Sequence, residues 1–93
     1  MPHIVVCYDI ASNRMRNRVM KRLREFLPHV QKSVFEGELN ESQVIELRKM
    51  LQCEVDLTKD TVRIYRLCRR CVPSTEVIGT GEYITGTEGD EVI

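Results

Sequence analysis

The sequence has no tryptophan and only five aromatic residues, three Tyr and two Phe. A domain that reads single-stranded RNA by stacking needs paired sheet aromatics, so a sequence-reading RNA module is disfavoured. No window approaches about 18 consecutive apolar residues, which argues against a transmembrane helix. The first residues lack the basic region, apolar stretch and small-residue cleavage site of a secretory signal. The cytoplasm is therefore the expected location, with no membrane partner. At 93 residues the chain suits one domain and is far too short for a barrel of about 250 residues. Net charge is absent as well, because 14 basic and 14 acidic residues cancel.

The charge that is present is segregated. Residues 1–34 hold seven basic and two acidic groups, or +5, and residues 35–93 hold seven and twelve, or −5. The last 22 residues contain five acids and no Lys or Arg. Such asymmetry points to nucleic acid for the basic part and an interaction tail for the acidic part. The plainer alternative is a solvated helix face.

His3 to Ile10 is a short apolar run rich in β-branched residues, and reads as a buried strand ending at Asp9. Alternation puts Val5, Cys7 and Asp9 on one face and Ile4, Val6, Tyr8 and Ile10 on the other. Ser12 is placed to cap a helix that runs to about Leu27, where Pro28 stops it. Met15, Val19, Leu23 and Phe26/Leu27 form its apolar stripe. Six basic residues, Arg14, Arg16, Arg18, Lys21, Arg22 and Arg24, occupy the rest, with no acid before Glu25. An exposed helix ordinarily mixes signs, so this absence of acids favours anion binding.

His29 to Glu38 reads as extended, with a break near Lys32-Ser33 that divides it into two strands. Asn40 opens a second helix, and Gln43 three residues later completes a capping box. Val44, Leu47, Met50 and Leu51 are its apolar side, and polar residues around Asp56–Asp60 end it. Thr61 to Cys68 is a further strand. Short strands are expected at Glu76–Gly79 and Gly81–Thr85. The order β-α-β-β-α-β predicts an α+β, ferredoxin-like fold with an extra C-terminal strand. Residues 1–80 form the domain and 81–93 a strand and acidic tail. One sheet face would be bare, which a second copy of the chain could cover.

Of the four cysteines, Cys7 is expected in the core. Cys68 and Cys71 have CxxC spacing, but a tetrahedral zinc site needs two more ligands. His3, His29 and Cys53 stand at no matching spacing, and in a reducing compartment buried thiols are the plainer reading.

Three segments coincide with those of one family. Val6-Cys7-Tyr8-Asp9-Ile10 is followed by Arg14, Arg16 and Arg18. Val30-Gln31-Lys32-Ser33-Val34-Phe35-Glu36-Gly37 comes next, then Val62-Arg63-Ile64-Tyr65-Arg66-Leu67-Cys68 with Cys71 after it. From about His3 to Gly81 the chain resembles CRISPR-associated protein two, of the spacer-acquisition machinery of bacteria and archaea. The resemblance implies a homodimer with packed sheets, in which the C-terminal strand crosses to the partner. It implies an endonuclease for single-stranded RNA or double-stranded DNA, or a scaffold between dimers of the integrase, CRISPR-associated protein one. A related toxin-type ribonuclease is a weaker alternative.

Asp9 is the candidate catalytic residue and metal ligand. A single carboxylate cannot satisfy Mg²⁺, which takes about six oxygens, but two Asp9 side chains related by a two-fold axis could share one Mg²⁺ or Mn²⁺. The plainer role for Asp9 is at a helix N-terminus. Arg14, Arg16, Arg18 and Arg22 are the candidate nucleic-acid contacts. By resemblance Arg16, Arg18 and Phe35 match functional positions, Tyr8 is supporting, and His29 stands where some members have Arg. Core packing is the plainer role for Phe35. Ser33 has no identifiable base nearby and is not expected to act as a nucleophile.

Overall fold

The computed structural model describes residues 1–79. Six elements follow in order: β1 (His3–Asp9), α1 (Asn13–Leu23), β2 (His29–Gln31), β3 (Val34–Glu38), α2 (Glu41–Glu54) and β4 (Thr61–Leu67). The strands form one antiparallel sheet in the order β2-β3-β1-β4. This is the ferredoxin-like arrangement expected from the element order. No helix among the described residues is long and apolar enough to cross a membrane.

β1 is the central strand, pairing Val6 with Phe35 on one side and with Ile64 on the other. Its alternation is the one expected: Ile4, Val6 and Tyr8 are buried, whereas Asp9 is exposed. Both helices pack on the Ile4–Val6–Tyr8 face. Val19 and Leu23 of α1 meet Val44, Leu47, Met50 and Leu51 of α2 over Phe35. Burying each large apolar side chain contributes about 1.5–3 kcal/mol relative to exposure.

Both helix starts follow their capping residues. The Ser12 hydroxyl accepts from the Met15 amide at 3.3 Å. Asn40 and Gln43 form a reciprocal box, with bonds of 2.8 and 2.9 Å. The end of α1 differs from expectation, since regular helix stops at Leu23 and not Leu27. Bonds from Glu25 to Arg22 and from Phe26 to Leu23 tighten the last turn before Pro28, which disfavours helical backbone in the residue before it.

Two further expectations are corrected. Cys7 is half-buried on the sheet face away from the helices, because the pleat puts it beside Val5 and Asp9. Among the described residues Glu76–Gly79 is not part of the four-stranded sheet. Gly81–Thr85 and the acidic tail lie outside the described residues.

Candidate nucleic-acid interface

The loop between β2 and β3 is fixed against the end of β1. Tyr8 grips it twice: its amide donates to the Ser33 carbonyl at 3.1 Å, and its hydroxyl donates to the Lys32 carbonyl at 3.1 Å. His29 Nε2 donates to the same Lys32 carbonyl at 3.2 Å. A carbonyl only accepts, so this bond places a proton on Nε2. The His29 ring stacks on Phe35 with centroids 4.4 Å apart, and Tyr8 lies 6.2 Å from Phe35 on its other contact. Phe35 is fully buried. It therefore acts as the floor beneath Tyr8 and His29 and presents no face to a ligand. Burial pushes the Tyr8 phenol above its ordinary range, against the opposing pull of Arg16 and Arg24.

On the other side, Asp60 fastens the start of α1. Its carboxylate accepts from the Ala11 amide at 3.3 Å and from the Asp56 amide at 3.2 Å. Arg16 turns back over this loop, donating to the Ile10 carbonyl at 3.0 Å and to Asn13 Oδ1. Between the two loops lies an open cleft of about 520 Å³. Tyr8, Asp9, Arg16, His29, Lys32 and Ser33 all line it. Asp9 is exposed at its rim, and its carboxylate makes no hydrogen bond or ion pair among the described residues.

A second groove of about 530 Å³ runs along α1, lined by Arg14, Asn17, Arg18, Met20, Lys21 and Arg24. Asn17 and Met20 line both depressions, so the cleft and the groove adjoin each other at these side chains. The combined surface carries Arg14, Arg16, Arg18, Lys21, Arg24 and Lys32. Its cations suit phosphate oxygens, and nothing in it discriminates bases.

The expected contacts divide accordingly. Arg14, Arg16 and Arg18 face this surface, while Arg22 does not. Arg22 reaches Glu54 of α2 at 3.4 Å and Glu25 at 4.0 Å. Arg18 also engages Glu54, at 2.8 Å, from the groove's edge. The acid missing from α1 is thus supplied across the helix pair. Lys21 and Arg24, part of the basic helix run but not among the named contacts, and Lys32 of the β2–β3 loop take the place of Arg22. For Lys21 and Arg24 the signal was the i, i+3, i+7, i+10 spacing of Arg14, Asn17, Lys21 and Arg24.

One chain alone does not fit a divalent ion. Among the described residues no three His, Cys, Asp or Glu side chains converge. Arg16 and Lys32 across the cleft from Asp9 would also oppose a cation.

Several known proteins share the sequence or the fold of this chain. A CRISPR-associated endoribonuclease Cas2 of Thermodesulfovibrio yellowstonii is 38% identical over 86 residues, covering 92% of this chain and 97% of that protein. A hypothetical protein of Thermus thermophilus has the same fold, with a TM-score of 0.78 and 32% identity over 87% of this chain and 94% of its own. A chain of a partial Cas6-RT-Cas1–Cas2 complex superposes over all of both chains with a TM-score of 0.67 at 20% identity, a likeness of fold. Residues 1–75 match the family described as CRISPR associated protein Cas2. With the βαββαβ order, the Asp9 strand end and the basic first helix in place, the chain belongs to the CRISPR-associated Cas2 family.

Proposed function

We propose that this chain works in CRISPR spacer acquisition as a homodimer. Each copy would hold duplex DNA by its phosphates along α1, and the two Asp9 carboxylates would form one phosphodiester-cutting centre. The observation that carries the reading is that the basic α1 groove adjoins, at Asn17 and Met20, the cleft that Asp9 lines. A strand lying in the groove would have a phosphate near the carboxylate. Arg14, Lys21 and Arg24 have no ion pair among the described residues, so their charge is available to a ligand.

The second copy is supported by the bare sheet face. Val5, Cys7 and Val34 are half-buried there beside the exposed Tyr65, with both helices on the opposite face. Arg63 donates to the Tyr65 hydroxyl at 3.1 Å, which holds that ring against the sheet edge. Pairing two such faces buries apolar surface and doubles the carboxylates. A Mg²⁺ or Mn²⁺ ion held by both Asp9 side chains would polarise the scissile phosphate and an attacking water. In this reading Tyr8 positions the Lys32-Ser33 loop, and Arg16 and Lys32 bind the phosphate. RNA phosphodiesters are a second substrate, as the endoribonuclease name of the Thermodesulfovibrio relative suggests for that protein.

The lone carboxylate per chain also favours a second reading: a DNA-binding scaffold that bridges integrase dimers without cutting. Asp9→Ala separates the two when cleavage and spacer integration are measured in parallel. Loss of cleavage with Mg²⁺ supports the nuclease. Integration that survives Asp9→Ala in a chain without cleavage supports the scaffold. Cleavage that persists in Asp9→Ala excludes Asp9 as the centre.

A further inference from the structure

Cys68 and Cys71 lie outside the cleft and groove, and the proposed function does not use them. Both thiols are exposed, although cysteine is ordinarily among the most buried residues. They follow the end of β4 in a single tight turn, where the Cys71 and Val72 amides donate to the Cys68 carbonyl at 3.0 and 3.3 Å. The turn brings the two sulfurs within 3.0 Å, sharing a hydrogen bond. A disulfide spans about 2.05 Å, so bond formation needs a shift of roughly 1 Å. The Cys71 thiol, then the Cys71 and Arg70 amides, point at Cys68 Sγ and hold that thiol below its ordinary range. The same shared hydrogen bond and the neighbouring negative charge push Cys71 up. Arg69 and Arg70 are exposed between the cysteines, and neither has an ion pair among the described residues.

We propose that Cys68 and Cys71 are a redox-active dithiol, which reduces an anionic low-molecular-weight disulfide and closes into an intrachain disulfide. The Cys68 thiolate attacks one sulfur of the small disulfide. That S–S bond breaks, one small thiolate leaves, and a mixed disulfide forms on Cys68. Cys71 then gives up its proton and attacks Cys68 Sγ, releasing the second small thiolate. Two electrons pass from the cysteine pair to the small disulfide. The dithiol's two protons end on the two released thiols. Arg69 and Arg70 attract the carboxylates of the oxidant. Cys7 on the sheet and Cys53 on α2 are both free thiols without a facing cysteine and stay out of the exchange.

The test is to incubate the reduced full chain with glutathione disulfide, alkylate it, and measure intact and peptide masses. Alkylatable thiols should fall from four to two, with Cys68 joined to Cys71 and no glutathione retained. Cys71→Ser should trap glutathione on Cys68. Cys68→Ser should form no intrachain disulfide, with Cys7 and Cys53 still alkylatable. The proposal is overturned if all four thiols stay alkylatable, if the disulfide includes Cys7 or Cys53, or if it joins two chains. Both variants are at exposed positions, so circular dichroism identical to the unmodified chain separates a chemical effect from a folding one.

Discussion

Glu54 decides which arginines of α1 are available to a ligand. It is largely buried between the helices and takes Arg18 at 2.8 Å and Arg22 at 3.4 Å. Exposed guanidinium pairs of this kind contribute about 0–1 kcal/mol, so their main effect is on charge and not on stability. Lys21→Ala and Arg24→Ala should therefore each weaken duplex DNA binding and make its salt dependence shallower by about one unit of log–log slope. Arg22→Ala should leave the slope unchanged, and Glu54→Gln should steepen it by releasing Arg18. Fluorescence anisotropy across a salt series reads all four. At Tyr8 the consequence is a pH dependence. Burial raises the folded-state pKa above the ordinary phenol value of about 10, so the neutral phenol's contribution is fully present below pH ~10. It is lost as pH rises through the folded value, when the donation to the Lys32 carbonyl disappears. Denaturant midpoints at pH 8 to 11 should show an alkaline decline that is smaller in Tyr8→Phe.

At the scale of elements, capping and close approach make separate demands. Asn40→Ala removes the bond from the Gln43 amide to the Asn40 side chain, leaves the Asn40 amide able to donate to Gln43, and should cost about 1 kcal/mol in urea unfolding. Gly37 sits where β3 passes the end of the α1–β2 connection. A Cβ there would stand 2.9 Å from Pro28 Cδ and 3.2 Å from Leu27 Cδ2. Gly37→Ala should thus destabilise by about 1–3 kcal/mol through overpacking, without changing the DNA salt slope. These elements differ in how legible they were. The Asn40–Gln43 box and the break at Lys32-Ser33 rest on residues close in sequence, and both were readable there. The end of α1 was not, because Phe26 and Leu27 continue the apolar stripe into a turn that still packs them inward. At the cleft, the position of Asp9 as the exposed last residue of β1 was readable from the alternation of that strand. The pairing of Glu54 with Arg22 was not, since 32 residues separate them and only helix packing brings them together. The pocketing of His29 and Lys32 depends on the irregular pairing between His29 and Gln31, which has no local sequence mark.

The whole molecule is two faces of unlike character, a basic helix surface and a sheet face left partly apolar. The neutral total charge conceals the first, and the element order already implied the second. If the sheet face joins two copies, placing charge at its centre should separate them. Val5→Arg is expected to shift the sedimenting species from dimer to monomer while α1 keeps its groove. Cleavage would then fall with dimer content, because each chain supplies one Asp9. The shared centre can be read most directly from mixed dimers. Unmodified chain and Asp9→Ala chain are re-equilibrated at varied ratios, and Mg²⁺-dependent cleavage is measured at fixed total protein. A centre built from both Asp9 side chains predicts activity that falls as the square of the unmodified fraction. A linear fall, or an unmodified chain that cuts neither RNA nor DNA, would contradict it.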